Sequence, residues 1–462
     1  MRQLILTTCI LFLSLPSVAQ QTHPNQLELL SQVNGYAGIG YNDVWGYTAA
    51  DGREYALLGV RNGTSIIDIS DDNNAVEIAF VQGSGSIWKD IKVFKDYAYV
   101  VTEARGGMQI IDLSGLPEKT LPVTTFRGFL KSHNIFIDEE NALLFSQGSN
   151  EQGSFVRIFS LEDPRAPRAL SQFGIECHDV FVQDQIAYVA EGNQSTFGIY
   201  DVSNPETPKY LKRIPVPGGG YAHNTWLTPD SKYLLTTEET QGKTVKLWDI
   251  QDFNQITLKE NYLGASGMAH NVHVKGNYAY ISHYNDGLKI VEITDDPPGL
   301  VEVASYDSYP GTDLFGGSWG AYPFFKSGKI LLSDISTGLY VLYFKGAEEN
   351  DQSHVKMETA HPKSMILHQN YPNPFSRRTR AGTVIQFDLL EDARVNVAIT
   401  DLKGTHIKTL VRGRKSAGNY TTTWNGQSAQ GTKVPSGVYF YTMTIEGARG
   451  TFKQTKKCTL LK

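Results

Sequence analysis

Short runs of alternating apolar and polar residues recur along most of the chain, separated by turns rich in Asn, Asp and Gly. The clearest copy spans residues 269–294 and contains three such runs, the first of which opens on His270 and Asn271. The second run covers residues 278–282, and the third covers residues 287–293. Alternation with a period of two predicts β-strands, and the breaks at Asn, Asp and Gly predict hairpin turns between them.

The same unit fits the sequence at seven places, spaced 44–49 residues apart, and a fourth run follows the third in six of them. The first runs open on the pairs Asn42-Asp43, Lys89-Asp90, His133-Asn134, His178-Asp179, His223-Asn224, His270-Asn271 and Trp319-Gly320. Four short strands in each unit of this length are typical of a propeller blade. We therefore predict an all-β fold whose main domain is a seven-bladed β-propeller.

The two ends of the repeat region complement each other. The seventh copy lacks a fourth run, because a polar stretch begins at Lys345. Residues 27–33, which precede the first copy, resemble the fourth run at residues 300–306. We expect this N-terminal segment to supply the missing strand of the seventh blade, because a closed ring leaves no unpaired strand edge.

The first 19 residues have the pattern of a secretory signal peptide. Arg2 precedes an apolar run over residues 4–15, and Ser17-Val18-Ala19 fits the small-residue pattern of a cleavage site. The apolar run is too short to span a membrane, and no later segment approaches the required length of about 18 apolar residues. We predict an exported protein without a transmembrane segment, whose mature chain starts near Gln20.

A second domain is predicted at the C-terminal end. The predicted organisation is a signal peptide at 1–19, the propeller at 20–345, a polar linker at 346–366 and a small domain at 367–462. Strand-like runs in the last segment alternate with turn residues such as Asn425-Gly426, which favours a small Ig-like β-sandwich.

Charge divides along the same boundary. The net charge of the whole chain is -6, yet residues 367–462 carry 15 Lys and Arg against 5 Asp and Glu. The remainder carries 27 basic and 43 acidic residues, and such an acidic surface argues against nucleic acid as a partner of the main domain. Cys177 and Cys458 fall in different predicted domains, so we expect no disulfide between them.

The repeats resemble a known family. Third runs such as GLKIVEIT, from Gly287, resemble the LVIVD repeat, and the strings NDVWGY, SIWKDIKVF, SHNIF and AHNVHV resemble the choice-of-anchor B family of exported bacterial proteins. That resemblance implies an extracellular propeller-like domain joined to one of several kinds of C-terminal anchor. It implies no established reaction and no agreed catalytic residues.

The C-terminal segment resembles the type A sorting domain of the type IX secretion system. The matching residues are Pro372, Pro374, Gly437, Tyr439, Lys456, Lys457, Leu460, Leu461 and Lys462. The resemblance implies that the type IX secretion machinery carries the protein across the outer membrane, removes the tail, and releases the protein or attaches it to the cell surface. The basic run at 377–382 departs from the Asn-Pro-x-Thr connection that is usual in this family.

Four imidazoles are the main candidates for chemistry. His133, His178, His223 and His270 occupy one equivalent position in four consecutive blades, and equivalent positions in a propeller lie at one height around the axis. Imidazole binds zinc, copper and iron, and it is also the usual general base near neutral pH. The ends of the second strands add Glu103, Glu191, Glu238, His283 and Asp334. This set predicts a ligand or metal site at the channel, with a divalent metal as its cofactor if it holds one.

A structural role for the repeated polar residues is the main alternative. The Asp or Asn that follows each of these positions in six of the seven blades fits hydrogen bonding between strands, and His273 is predicted to face outward. The sequence contains no Walker loop, dinucleotide-binding fingerprint, Gly-x-Ser-x-Gly or HExxH motif. The leading interpretation is therefore a non-enzymatic propeller that binds an extracellular ligand or protein partner. The competing interpretation is a metal-dependent hydrolase or lyase.

Overall fold

A computed structural model describes residues 26–461, except 149–154, 217, 266, 347–364, 368–369, 371–372, 374, 377–381, 390–391, 402–404 and 448–449. The predicted signal peptide, most of the predicted linker, and the sorting-domain residues Pro372, Pro374 and Lys462 lie outside these residues. The chain divides into two compact units, Met1–Asp351 and Gln352–Lys462. No helix among the described residues is long and apolar enough to cross a membrane.

Seven four-stranded antiparallel sheets form the first unit; each of the first six predicted repeats supplies one whole sheet, and the seventh supplies three strands of the last. The strands of blades one to three are β2 (Tyr41–Thr48), β3 (Glu54–Val60), β4 (Gly63–Asp68), β5 (Val76–Gln82), β6 (Lys89–Phe94), β7 (Tyr97–Thr102), β8 (Met108–Asp112), β9 (Val123–Phe126), β10 (Asn134–Asp138), β11 (Leu143–Gln147), β12 (Val156–Ser160) and β13 (Arg168–Phe173). Those of blades four and five are β14 (Asp179–Gln183), β15 (Ile186–Ala190), β16 (Thr196–Asp201), β17 (Lys209–Pro215), β18 (Ala222–Leu227), β19 (Tyr233–Glu238), β20 (Val245–Asp249) and β21 (Thr257–Tyr262).

Blades six and seven complete the ring. Their strands are β22 (Asn271–Lys275), β23 (Tyr278–Ser282), β24 (Leu288–Asp295), β25 (Pro298–Tyr306), β26 (Ser318–Tyr322), β27 (Lys329–Asp334) and β28 (Gly338–Phe344). The fourth strand of blade seven is β1 (Leu27–Val33), which pairs with β28 from Leu27 opposite Phe344 to Val33 opposite Leu339. The predicted seven-bladed propeller and its closure by the N-terminal strand are both confirmed.

Side chains of neighbouring blades share the buried core. One cluster joins Leu57 and Ile66 of blade one to Ile91 and Val100 of blade two, and a similar cluster joins blades five and six. The central strands of each blade are therefore buried on both faces, which explains their unbroken apolar runs. The outer strands alternate between exposed and partly buried residues, as in Thr257–Tyr262.

The repeated Asp and Asn residues connect adjacent first strands. In three of the seven blades the side-chain oxygen accepts a backbone N–H from the next blade. These bonds are Asp43 Oδ2 with Ile91 N at 3.1 Å, Asp90 Oδ2 with Ile135 N at 2.7 Å, and Asn224 Oδ1 with Val272 N at 3.1 Å. The predicted structural role of these residues is confirmed at those positions.

Two residues after the position of the repeated Asp or Asn, each first strand places a large side chain in the channel. Trp226 contacts both Phe181 and His273, with ring centroids 4.5 and 4.7 Å apart. Phe324, from the connection between β26 and β27, stacks on Trp226 at 5.6 Å and also contacts His273. The prediction that His273 faces outward is wrong. The side chain lies on the channel side because it is two residues from Asn271, and alternate residues of a strand share one face.

The second unit is a small β-sandwich. One sheet contains β29 (Met365–Leu367), β31 (Thr383–Leu389) and β34 (Gly418–Trp424). The other contains β30 (Phe375–Ser376), β36 (Gly450–Leu461), β35 (Gly437–Gly447), β32 (Ala393–Asp401) and β33 (His406–Lys415). The fully buried Trp424 packs between the sheets against Phe375 and Tyr439. Cys177 and Cys458 are free, as predicted.

Of the predicted secretion residues, Gly437 and Tyr439 lie on β35, and the remaining described ones lie on β36. Those residues are Lys456, Lys457, Leu460 and Leu461.

Candidate functional site

Four imidazoles form a continuous arc at the start of the first strands of blades three to six. The ring centroids of His133 and His178 are 4.4 Å apart, those of His178 and His223 are 3.9 Å apart, and those of His223 and His270 are 4.4 Å apart. The repeat thus brings together residues that are about 45 positions apart in the chain. We call these four residues the imidazole arc.

Hydrogen bonds show which ring nitrogen carries the hydrogen in three of the four imidazoles of the arc. Nδ1 of His178 lies 2.9 Å from the carbonyl oxygen of His223, and Nδ1 of His270 lies 2.5 Å from that of Trp319. A carbonyl oxygen can only accept, so Nδ1 carries the hydrogen in both rings and Nε2 keeps its lone pair. Nδ1 of His133 contacts Glu103 Oε1 at 2.6 Å in the same manner.

The buried imidazoles of the arc are neutral at neutral pH. Burial lowers the pKa of His178 and His223 well below the usual value, and the neighbouring imidazoles lower it further. Burial also lowers the pKa of His270 to about 3. A neutral imidazole is the form that binds a metal, because one of its ring nitrogens keeps a lone pair.

A carboxylate completes a group that could hold a metal ion. Ligand atoms of His223, Glu239 and His270 all lie within 4.8 Å of one another, and Glu239 Oε2 is 3.7 Å from His223 Nε2. We call these three residues the mouth triad. Burial raises the pKa of Glu239, whereas a hydrogen bond from the Tyr284 hydroxyl acts in the opposite direction.

The carboxylate of the mouth triad belongs to Glu239, the residue after the predicted Glu238. Glu238 is the last residue of β19, and its fully buried carboxylate pairs with Lys246. Glu239 follows the strand, and its side chain reaches the arc instead. The sequence shows two adjacent acidic residues at this point. It does not show which of the two follows the strand and reaches the arc.

Three other predicted residues lie away from the arc. Glu191 is fully buried and accepts hydrogen bonds from Arg213 and Tyr200. The other two are Asp334, which accepts a hydrogen bond from Ser308 and caps the turn after β27, and His283, whose Nδ1 is 3.2 Å from Asp286 Oδ2. Of the predicted acids, only Glu103 touches the arc.

Aromatic and apolar residues surround the arc. Tyr221 lies 5.4 Å from His178, and both Tyr284 and Trp319 lie within 5 Å of His270, measured between ring centroids. Exposed apolar side chains also occur on the connections that lead into the first strands. They are Ile39, Ile87, Trp88, Leu130, Ile175, Leu263 and Phe315. The face of the propeller that carries the arc therefore has an apolar rim.

Comparison with known proteins identifies the modules of the chain. The sequence matches the LVIVD repeat at residues 86–121, 176–213 and 266–308, which lie in blades two, four and six, and the FlgD Ig-like domain at residues 375–450. The predicted LVIVD repeats are thereby confirmed. The resemblances to the choice-of-anchor B family and to the type IX sorting domain stay predictions. A comparison with curated protein sequences found no match.

Solved structures with a similar fold include other propellers. PorZ, a bacterial surface component of the type IX secretion system of Porphyromonas gingivalis, is 13% identical with a TM-score of 0.45, and the match covers 94% of this chain and 61% of that one. The chain thus spans less than two thirds of the length of PorZ. The WD40 propeller domain of Doa1 is 12% identical with a TM-score of 0.49, covering 69% and 97% of the two chains. The Cps50 (Swd1) propeller domain of Myceliophteria thermophila is 11% identical with a TM-score of 0.49, covering 69% and 99%.

Proposed function

We propose that this protein is an exported or cell-surface propeller that binds an extracellular ligand at its channel mouth through a divalent transition metal. The observation that carries the proposal is the mouth triad, in which two imidazoles and one carboxylate bring their ligand atoms within 4.8 Å of one another. Two nitrogens and one oxygen suit zinc and the other borderline transition metals better than calcium or magnesium.

The surroundings of the triad support this proposal. Nδ1 of His270 is bound to the carbonyl oxygen of Trp319, an arrangement that commonly fixes the orientation and tautomer of a metal-ligating imidazole. Three protein ligands leave at least one coordination position for an external group. Because Phe324 and the aromatic residues around it fill the channel deeper in, an external ligand would approach from the face that carries the apolar rim.

Zinc titration of the purified protein tests the proposed site. We expect the wild-type protein to bind Zn²⁺ at one site per chain by isothermal titration calorimetry. His223→Ala should weaken binding at least about 100-fold, because one of only three protein ligands is lost. His133→Ala is the matched control, since it removes an imidazole of the arc that is outside the triad. A wild-type protein that binds no zinc, or a His223→Ala variant with unchanged affinity, would contradict the proposal.

A metal-dependent hydrolase or lyase is the second candidate. It is favoured by the same ligand set, because two imidazoles, one carboxylate and an open position are also the arrangement of hydrolytic zinc sites. Turnover of ester, lactone or phosphodiester probes by the zinc-loaded protein, abolished in Glu239→Gln, would favour the enzyme. Zinc binding without turnover of any of these probes would favour the binding protein.

Delivery by type IX secretion is the remaining part of the proposal. The Ig-like C-terminal unit, its excess of basic residues and the sorting-domain resemblance support it. We expect mass spectrometry of the secreted protein to find a mature N-terminus near Gln20 and no peptides from the C-terminal unit, because secretion removes the tail. Secreted protein that still ends at Lys462 would contradict this route.

A further inference from the structure

Tyr284 joins the two blades that supply the mouth triad. It lies in the turn between β23 and β24 of blade six, whereas Glu239 follows β19 of blade five. The Tyr284 side chain is 2% exposed, and its hydroxyl donates a hydrogen bond to Glu239 Oε1. Its ring centroid is 4.8 Å from that of His270. Tyr284 thus contacts two of the three residues of the triad.

The backbone of Tyr284 has an unusual conformation that its neighbours hold in place. Its φ is +45°, in the left-handed region that residues other than glycine rarely adopt. Its carbonyl oxygen accepts hydrogen bonds from the N–H groups of Gly287 and Ser318, both at 2.9 Å. A Cβ at Gly317 would lie 2.3 Å from that oxygen, so only glycine allows this approach of blade seven. Such conformations persist where the surrounding structure enforces them, and they concentrate at functional sites.

We propose that Tyr284 is a positioning residue of the mouth triad, holding Oε1 of Glu239 so that Oε2 stays available to a metal ion beside His223. This inference rests on the metal site proposed above. The two oxygens have different neighbours, because Oε1 accepts the Tyr284 hydroxyl whereas Oε2 lies 3.7 Å from His223 Nε2. A single hydrogen bond therefore fixes the rotation of the carboxylate and selects the oxygen that faces the imidazoles.

Without the Tyr284 hydroxyl, the Glu239 carboxylate would rotate more freely, and a ligand that is less well oriented binds a metal ion more weakly.

Tyr284→Phe tests the inference, because it removes the hydroxyl and keeps the ring against His270. We expect Zn²⁺ affinity to fall about 10- to 100-fold at neutral pH, the usual effect of losing a partner of a metal ligand. The visible spectrum of the Co²⁺-loaded protein should also change, because a different carboxylate geometry alters the ligand field.

Tyr262→Phe is the matched control. Tyr262 donates a hydrogen bond to Glu302 at 2.5 Å, so it is another tyrosine bonded to a glutamate, but it contacts no residue of the triad. We expect wild-type zinc affinity and Co²⁺ spectrum in this variant, and similar melting temperatures for both variants without metal.

Two failures can be distinguished. Wild-type Zn²⁺ affinity and Co²⁺ spectrum in Tyr284→Phe would overturn the positioning role and leave metal binding by the triad intact. A wild-type protein that binds no Zn²⁺ would overturn the metal site itself.

Discussion

Deletion of residues 20–35 is expected to lower the melting temperature of the propeller by about 10 °C or more. The deletion removes β1, which pairs with β28 over six positions and forms the fourth strand of blade seven. Without it, β28 becomes an unpaired edge strand, and the ring is no longer closed by a shared sheet.

The size of the effect follows from what β1 covers. Leu30 and Val33 pack against the core shared by blades seven and one, and Leu27 packs against the core shared by blades six and seven. Losing three partly buried apolar side chains costs about 1 kcal/mol or more each, before the ladder hydrogen bonds are counted. The loss therefore weakens both interfaces of blade seven.

Thermal unfolding followed by circular dichroism would measure this prediction. A shorter deletion of residues 20–25 is the control, because it ends before Gln26, whose carbonyl oxygen accepts a hydrogen bond from Lys345, and before β1. We expect little change in the control. Equal melting temperatures for the full deletion and the wild-type protein would show that the ring does not depend on the N-terminal strand.

Repetition made the architecture predictable from the sequence. Seven copies of one pattern reinforce each other, so an error in one strand does not change the number of blades. The closing strand was predictable for the same reason, since a missing fourth strand at Phe344 matches an extra strand at Leu27.

The site was harder to predict, because it depends on single-residue geometry at strand ends. The repeat placed His133, His178, His223 and His270 at one position, and the structure brings their rings together. Outside the strands the alternation of faces no longer applies, and it therefore could not separate Glu238 from Glu239. Tyr284 depends on a left-handed turn and on a contact with the next blade, neither of which a local pattern reveals.

The channel interior also shows what a repeat pattern leaves undetermined. Position 92 carries Lys where the same position of other blades carries Trp226 or His273. The Lys92 ammonium lies 2.5 Å from Asp90 Oδ1 and 3.7 Å from Asp43 Oδ2, and it also contacts the ring of Trp45. The positive charge of Lys92 compensates the negative charges of Asp43 and Asp90, which also accept hydrogen bonds from the next blade. This pairing requires three-dimensional proximity between blades, so the sequence of one repeat does not show it.

The buried imidazoles should make the propeller sensitive to acid. Burial lowers the pKa of His270 and His273 to about 3 and that of His178 and His223 well below the usual value. In the unfolded chain a histidine takes up its proton near pH 6.5. Between these values the unfolded state binds more protons than the folded state, so the free energy of unfolding falls as the pH decreases below 6.5.

The expected loss from pH 7 to pH 5 is several kcal/mol in metal-free buffer. His270 and His273 each contribute about 2 kcal/mol over this interval, from 1.4 kcal/mol for each pH unit below 6.5, and His178 and His223 act in the same direction. Buried carboxyls act in the opposite direction, because burial raises the pKa of Asp179 to about 6 and raises that of Asp43 as well. Burial also raises the pKa of Asp138, Glu139 and Glu239, and protonation of these carboxyls in the folded state offsets part of the loss.

His273→Phe isolates one imidazole from these opposing contributions. Phe136 and Phe181 occupy the same position in blades three and four, so phenylalanine suits the channel at this point. Urea unfolding at pH 7 and pH 5, with a chelator present, should show that the variant loses about 2 kcal/mol less than the wild-type protein over this interval. His406→Gln, at an exposed position in the C-terminal unit, should behave as the wild-type protein does. An equal loss in His273→Phe and wild type would mean that the channel imidazole is already protonated in the folded state.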